Sequence, residues 1–169
     1  MDSELASLFV AHSNKKLEQM TGHIETCLGK LNDDLIWNRG ASHENTVGNL
    51  VLHLQGNVRQ WMIHGVGGEP DVRVRDLEFS TAGGKTGAEL AAGLRTTVNQ
   101  AMEIISGVTA SRLTAQVKPQ NDRLSVLEAI YQVVGHFQQH TGQIMYATKQ
   151  LTGDGLGFYR PPTAPANPV

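Results

Sequence analysis

His136 and His140 stand four residues apart in the segment Gly135-His-Phe-Gln-Gln-His-Thr-Gly-Gln-Ile144. Residues at i and i+4 stack on one helical face, so such a pair can aim two ring nitrogens at one metal ion. Seven histidines in 169 residues supply about 0.3 pairs at this spacing by chance, so a third ligand is needed. His53 offers it, on a face that runs Asn49, Leu50, His53, Asn57, Gln60 and mixes apolar with amide side chains. Amides on a face that should be buried read as a polar pocket rather than plain core. Three neutral imidazoles with a vacant position make a catalytic type of metal site, because no cysteine or carboxylate lies at the right pitch to close it. Glu128, eight residues before His136, falls about 80° off the histidine face. Gln143 shares the face of His136 and His140, and with Asn57 it is expected to orient ligands or substrate. The plainer alternative is three hydrogen-bonded core histidines with no metal.

The remaining histidines do not extend this set. His12 and His23, like His53 and His64, are eleven residues apart, which is about 16 Å along a helix and too far for one ion. His64 sits where it can cap carbonyls or meet solvent, His43 lies in a polar loop, and His12 is the one reserve ligand. Cys27 lies on an apolar stripe without a basic neighbour, which reads as an inert core thiol.

The elements that must position these residues are helical. Leu5, Leu8, Phe9, His12, Lys16, Met20, Ile24, Cys27, Leu28 and Leu31 recur at spacings of three and four, predicting a first helix over about residues 3 to 31. A second opens at Asn45 and carries Val47, Leu50, Val51, Leu54, Val58, Trp61 and Met62 to an end near His64, before the breakers Gly65, Gly67, Gly68 and Pro70. Residues 66 to 85 read as a long loop. Thr86 with Glu89, and Ser125 with Glu128, have the capping-box spacing and open a third and a fourth helix, the last ending at Gly153. Glycines inside these helices, Gly56 among them, cost about 1 kcal/mol each unless packing or a site requires them. The expectation is an all-α, four-helix bundle with long connections over residues 1–152. An extended proline-rich tail follows over 153–169, holding Pro161, Pro162, Pro165 and Pro168.

Composition narrows the partners. Fourteen Lys and Arg against sixteen Asp and Glu give a net charge of −2, with no basic block, which argues against nucleic acid. A single cysteine excludes an intrachain disulfide. The acidic start, Asp2 and Glu4, does not look like a secretory leader, and no run approaches the roughly 18 apolar residues of a membrane span. A cytoplasmic protein without membrane partners is expected.

Two segments carry a family resemblance. Thr46-Val-Gly-Asn-Leu-Val-Leu-His-Leu-Gln-Gly-Asn-Val-Arg-Gln-Trp61 resembles the second-helix signature of DinB-like (YfiT-like) proteins, a histidine followed by Gly-Asn and then tryptophan. The His-x-x-x-His of 136–140, followed by Gly142-Gln143, resembles the fourth-helix signature of the same superfamily. Arg75-Asp-Leu-Glu-Phe79 and Thr86-Gly-Ala-Glu-Leu90 extend the likeness over nearly the whole bundle. The resemblance implies a four-helix bundle, often a homodimer, that holds a divalent transition metal (Zn, Ni, Fe or Mn) through His53, His136 and His140. It also implies metal-dependent transferases or isomerases that use a low-molecular-weight thiol such as bacillithiol, mycothiol or glutathione with a small-molecule substrate.

The leading expectation is therefore a thiol S-transferase or isomerase with the thiol activated at the three-histidine site. The absence of a carboxylate beside the triad weighs against metal-assisted hydrolysis, which recruits a general base. Two alternatives stand beside it: a non-catalytic metal or small-ligand binding protein in stress response, and a metal-free helical interaction module. Trp37 and Phe158 are candidate interface aromatics.

Overall fold

A computed structural model describes residues 2–121 and 123–158. Two long helices frame the molecule: α1, Asp2–Lys30, and α7, Val126–Thr152. Between them lie α2 (Asp33–Ile36), α3 (Val47–Val58), α4 (Arg75–Ser80), α5 (Gly87–Ser106) and α6 (Ala110–Leu113). Two-residue strands β1 (Gln116–Val117) and β2 (Leu124–Ser125) pair antiparallel just before α7. The architecture is all-α, and α1, α3, α5 and α7 are the four bundle helices. α1 packs on α5 and α7, and α3 packs on α5 and α7. Among the described residues no helix is long and apolar enough to cross a membrane.

The helices start where local chemistry stops free amides from being wasted. Thr46, Thr86 and Ser125 each accept from the backbone N–H three residues on, and Asn49, Glu89 and Glu128 return the bond to the cap residue. α7 ends at Gly153, whose φ of 72° is the left-handed conformation that closes a helix. Each stripe then delivers its apolar side to one core. Leu17, Ile24 and Cys27 of α1, Leu54 and Val58 of α3, Leu94 and Val98 of α5, and Ile130, Val133 and Phe137 of α7 are all fully buried.

Two departures from the sequence expectations lie next to the histidines. The second helix does not run on as α-helix to His64. It widens into a π-helix over Arg59–Val66, in which the Gly67 N–H reaches the Met62 carbonyl, and such wide turns are frequent at functional sites. The connection 66–85 is not all loop, because it holds α4. That helix has six residues, too few to persist alone, and it is held from outside. The buried Asn49 side chain donates to the Glu78 and Thr81 carbonyls at 2.9 and 2.7 Å, satisfying backbone groups at the end of α4. Arg39 donates to Asn49 Oδ1 at 2.9 Å and to the Phe79 carbonyl at 3.2 Å, closing the clamp.

Trp37 packs its ring against Gly48 and donates its Nε1–H to the Lys85 carbonyl at 2.8 Å, so its polar handle is engaged within the chain. Phe158 stacks on His23 with ring centroids 4.0 Å apart. The tail prolines lie outside the described residues. Cys27 is buried, and burial pushes its thiol above the usual value.

Candidate metal centre

α3 and α7 meet at the middle of the bundle, and three imidazoles meet with them. His53 Nε2 lies 3.1 Å from His136 Nε2, which lies 3.1 Å from His140 Nε2. One nitrogen from each of His53, His136 and His140 falls within 4.8 Å of the others. A tetrahedral ion with ligands at 2.0–2.1 Å separates its nitrogens by about 3.3 Å, so the cluster has the dimensions of a coordination face. His12, His43 and His64 stand apart from it. His12 and His43 are exposed, and His64 Nδ1 contacts the Glu69 carbonyl at 2.6 Å.

Hydrogen bonds at the far side of two rings decide what the near side offers. His53 donates its Nδ1–H to Glu78 Oε2 at 2.8 Å, and His140 donates its Nδ1–H to Gln143 Oε1 at 2.6 Å. A neutral imidazole carries one N–H, so both Nε2 atoms present lone pairs inward. His136 Nε2–H can donate to one of them and not to both, whereas a cation serves all three. The residues present therefore fit a divalent metal. His136 Nδ1 is buried without a hydrogen-bond partner, making it the one ring of the three not oriented through its second nitrogen.

His136 and His140 are held away from the protonated form. Burial, then the neighbouring His140, His53 and Arg73, pushes His136 down to about 4, with Glu78 acting the opposite way. Burial also lowers His140, against the bond to Gln143. Both shifts disfavour the imidazolium form, from which a metal would have to displace a proton.

The sequence expectation of no carboxylate beside the triad is overturned. Glu78 lies across His53 as an orienting partner, and its own geometry is set by Arg73. The Arg73 Nε–H donates to Glu78 Oε1 at 2.7 Å and one Nη2–H to Oε2 at 2.8 Å, a bidentate pair whose side chains are 3% and 8% exposed. Burial alone would raise the Glu78 pKa. The hydrogen bonds from Arg73 and His53 outweigh it, and the carboxyl is held below its ordinary value. Arg73 in turn donates to Gln60 Oε1 at 2.9 Å. The segment Arg75–Phe79 belongs to the family resemblance, but nothing in it pairs Glu78 with His53, because the two are 25 residues apart and no helical period joins them.

Of the two amides expected around the site, Gln143 bonds His140. Asn57 is buried one turn beyond His53, with its Oδ1 unpartnered. Gly56 has a reason visible only here: a Cβ on it would collide with Glu78 Oε1. Gly56→Ala is expected to push the carboxylate off His53 and weaken metal binding several-fold while helicity persists. Metal titration with circular dichroism checks this, and unchanged affinity would mean that Glu78 swings aside without loss.

A second expectation follows from His136. Its folded pKa of about 4 lies below the ordinary 6.5, so the unfolded chain binds the proton first. The metal-free protein should keep this contribution to stability above pH 6.5 and lose it as pH falls toward about 4, with a further acid-side loss from Glu78, whose carboxyl is held below its ordinary value. Denaturant midpoints across pH 4–7 should show a larger upper loss in the parent than in His136→Ala, where the lowered His140 still contributes.

Comparison with known proteins agrees with this architecture. A family model described as "Protein of unknown function (DUF1572)" matches residues 4–159. The chain resembles the crystal structure of a DinB-like protein from Bacillus cereus ATCC 10987, with a TM-score of 0.63 and 17% identity, over 78% of this chain and 85% of that one. It also resembles a DinB-like protein (YjoA) from Bacillus subtilis, with a TM-score of 0.66 and 13% identity, over 88% of this chain and 98% of that one. No curated protein matches at a significant level. Identities this low speak for the fold alone, whereas the family model spans nearly the whole described chain. The chain thus belongs to the DUF1572 family of proteins of unknown function and has the DinB-like all-α fold.

Proposed function

We propose that His53, His136 and His140 hold a divalent transition metal, and that the protein is a metal-dependent transferase or isomerase working with a low-molecular-weight thiol. The observation that carries the reading is the set of convergent Nε2 atoms, with two tautomers held by Glu78 and Gln143. A divalent ion in a neutral donor set keeps its full charge and lowers the pKa of a bound thiol. Around it, the chain's own groups favour transfer over hydrolysis. Both Glu78 oxygens are taken by Arg73 and His53, so the carboxylate is committed to orientation and is not free to accept a proton from water. Gln143, bonded to His140, is neutral. Zinc, nickel, iron and manganese all suit three imidazoles, and affinity order does not choose among them.

The test is turnover of the metal-loaded full chain with a panel of small thiols against electrophiles. Thiol-dependent consumption of an electrophile, lost in His136→Ala, supports the transferase reading. Metal retention without turnover of any pair would favour a non-catalytic binding protein. A homodimer is part of the proposal, and the exposed Leu5 and Leu8 of α1 with Leu127 and Tyr131 of α7 are apolar surface for a second copy to cover.

A further inference from the structure

Bordered by Glu78 but by none of the three imidazoles, a groove of about 470 Å³ runs between α3 and the connection that holds α4. That volume lies in the range of small-molecule sites, about 300–1,000 Å³. Its floor and lip are apolar: Leu52 of α3, and Val72, Val74 and Leu77 of the connection. The last three are 58%, 59% and 60% exposed, a concentration of large apolar side chains in six residues that a surface loop does not need for folding.

The charged groups in the groove have one sign left over. Arg73 and Glu78 neutralise each other. Arg59 and Lys85 also line the groove, and among the described residues neither has a carboxylate within ion-pair distance. Glu89, whose carboxyl feels Lys85, is itself held in its capping box with Thr86. Apolar walls with two uncompensated cations are complementary to an amphiphilic anion. Neither a neutral hydrocarbon nor a cation uses both features.

We propose that this groove binds a small organic acid with an apolar body, its acidic group paired with Arg59 or Lys85 and its body against Leu52, Val74 and Leu77. The site is distinct from the three-histidine cluster and does not rest on the thiol-transfer reading. It abuts Gly56 and Glu78, so its occupant would lie against the groups that orient His53.

Calorimetric titration of the full chain with octanoate, octanol and octyltrimethylammonium tests the proposal. The expected result is one octanoate per chain, with the alcohol and the cation at least tenfold weaker. The double variant Arg59→Glu, Lys85→Glu should lose octanoate affinity at least tenfold, and so should Leu77→Asp, with helicity and metal content kept as in the parent. Octanol binding as tightly as octanoate, octanoate binding untouched by both variants, or no octanoate binding at all would overturn it. So would sedimentation in which Leu77→Asp turns a dimer into a monomer, because the occupant would then be a second copy.

Discussion

Alanine in place of His53 is expected to leave the protein without metal, while the parent, purified without chelating resin, carries about one divalent ion per chain. The reason is geometric. His136 and His140 alone would hold an ion from one helix face, and α3 would contribute nothing to it. His53 alone bridges the two helices, and its Nε2 lies 3.1 Å from the Nε2 of His136, which is 3.1 Å from that of His140. Removing one ligand of three from an open site leaves two imidazoles, a set that does not retain zinc-type ions through purification. Elemental analysis of the parent and of His53→Ala, His136→Ala and His140→Ala decides the point. Metal retained in full by His53→Ala would sink the triad. Metal absent from every form, after incubation with Zn²⁺, Ni²⁺ or Mn²⁺, would make the three rings ordinary core histidines.

Glu78→Ala should be nearly as damaging, and in two ways. The His53 Nδ1–H loses its acceptor, so the ring is free to turn and to change tautomer. Loss of such a partner costs metal affinity about 10–100-fold. The same change strands Arg73, whose side chain is 3% exposed, without its counter-charge. Breaking a buried ion pair by removing one partner costs about 3–5 kcal/mol. Glu78→Gln separates the effects, since its amide oxygen still accepts from His53 while the charge is gone. Metal affinity should recover in large part and stability should not. Competition titration with a chromophoric chelator reads the first quantity, and urea unfolding of the metal-free protein reads the second. Unaltered affinity in Glu78→Ala would show that packing against Phe79, 4.9 Å from the His53 ring, orients it instead.

Much of the bundle was legible in the sequence because its causes are local. Capping boxes act over three residues, so Thr86 with Glu89 and Ser125 with Glu128 marked the starts of α5 and α7. The apolar stripe repeats within each helix, which is why Ile24 and Cys27 of the first helix and Leu54 and Val58 of the second could be assigned to the core. His136 and His140 belonged together for the same reason, and Gln143 with them, since one helical turn fixes their relation. His53 was reachable only through its amide-bearing face and the family resemblance. Gly56 was visible as a cost without a reason.

What surrounds His53 was decided by tertiary structure. α4 has too few residues to announce itself, and it exists because Asn49 and Arg39 hold its end against α3. Glu78 reaches His53 across 25 residues, and Arg73 reaches Glu78 from an irregular strand of chain. Neither pairing has a period, because no regular backbone joins the partners. The shift to π-helix after Val58 likewise had no marker in the apolar period, which runs on through Trp61 and Met62. Periodicity records what one helix presents to its neighbours. The carboxylate, the guanidinium and the missing Cβ at Gly56 form a single contact only when three segments come together, and that contact orients the His53 ring.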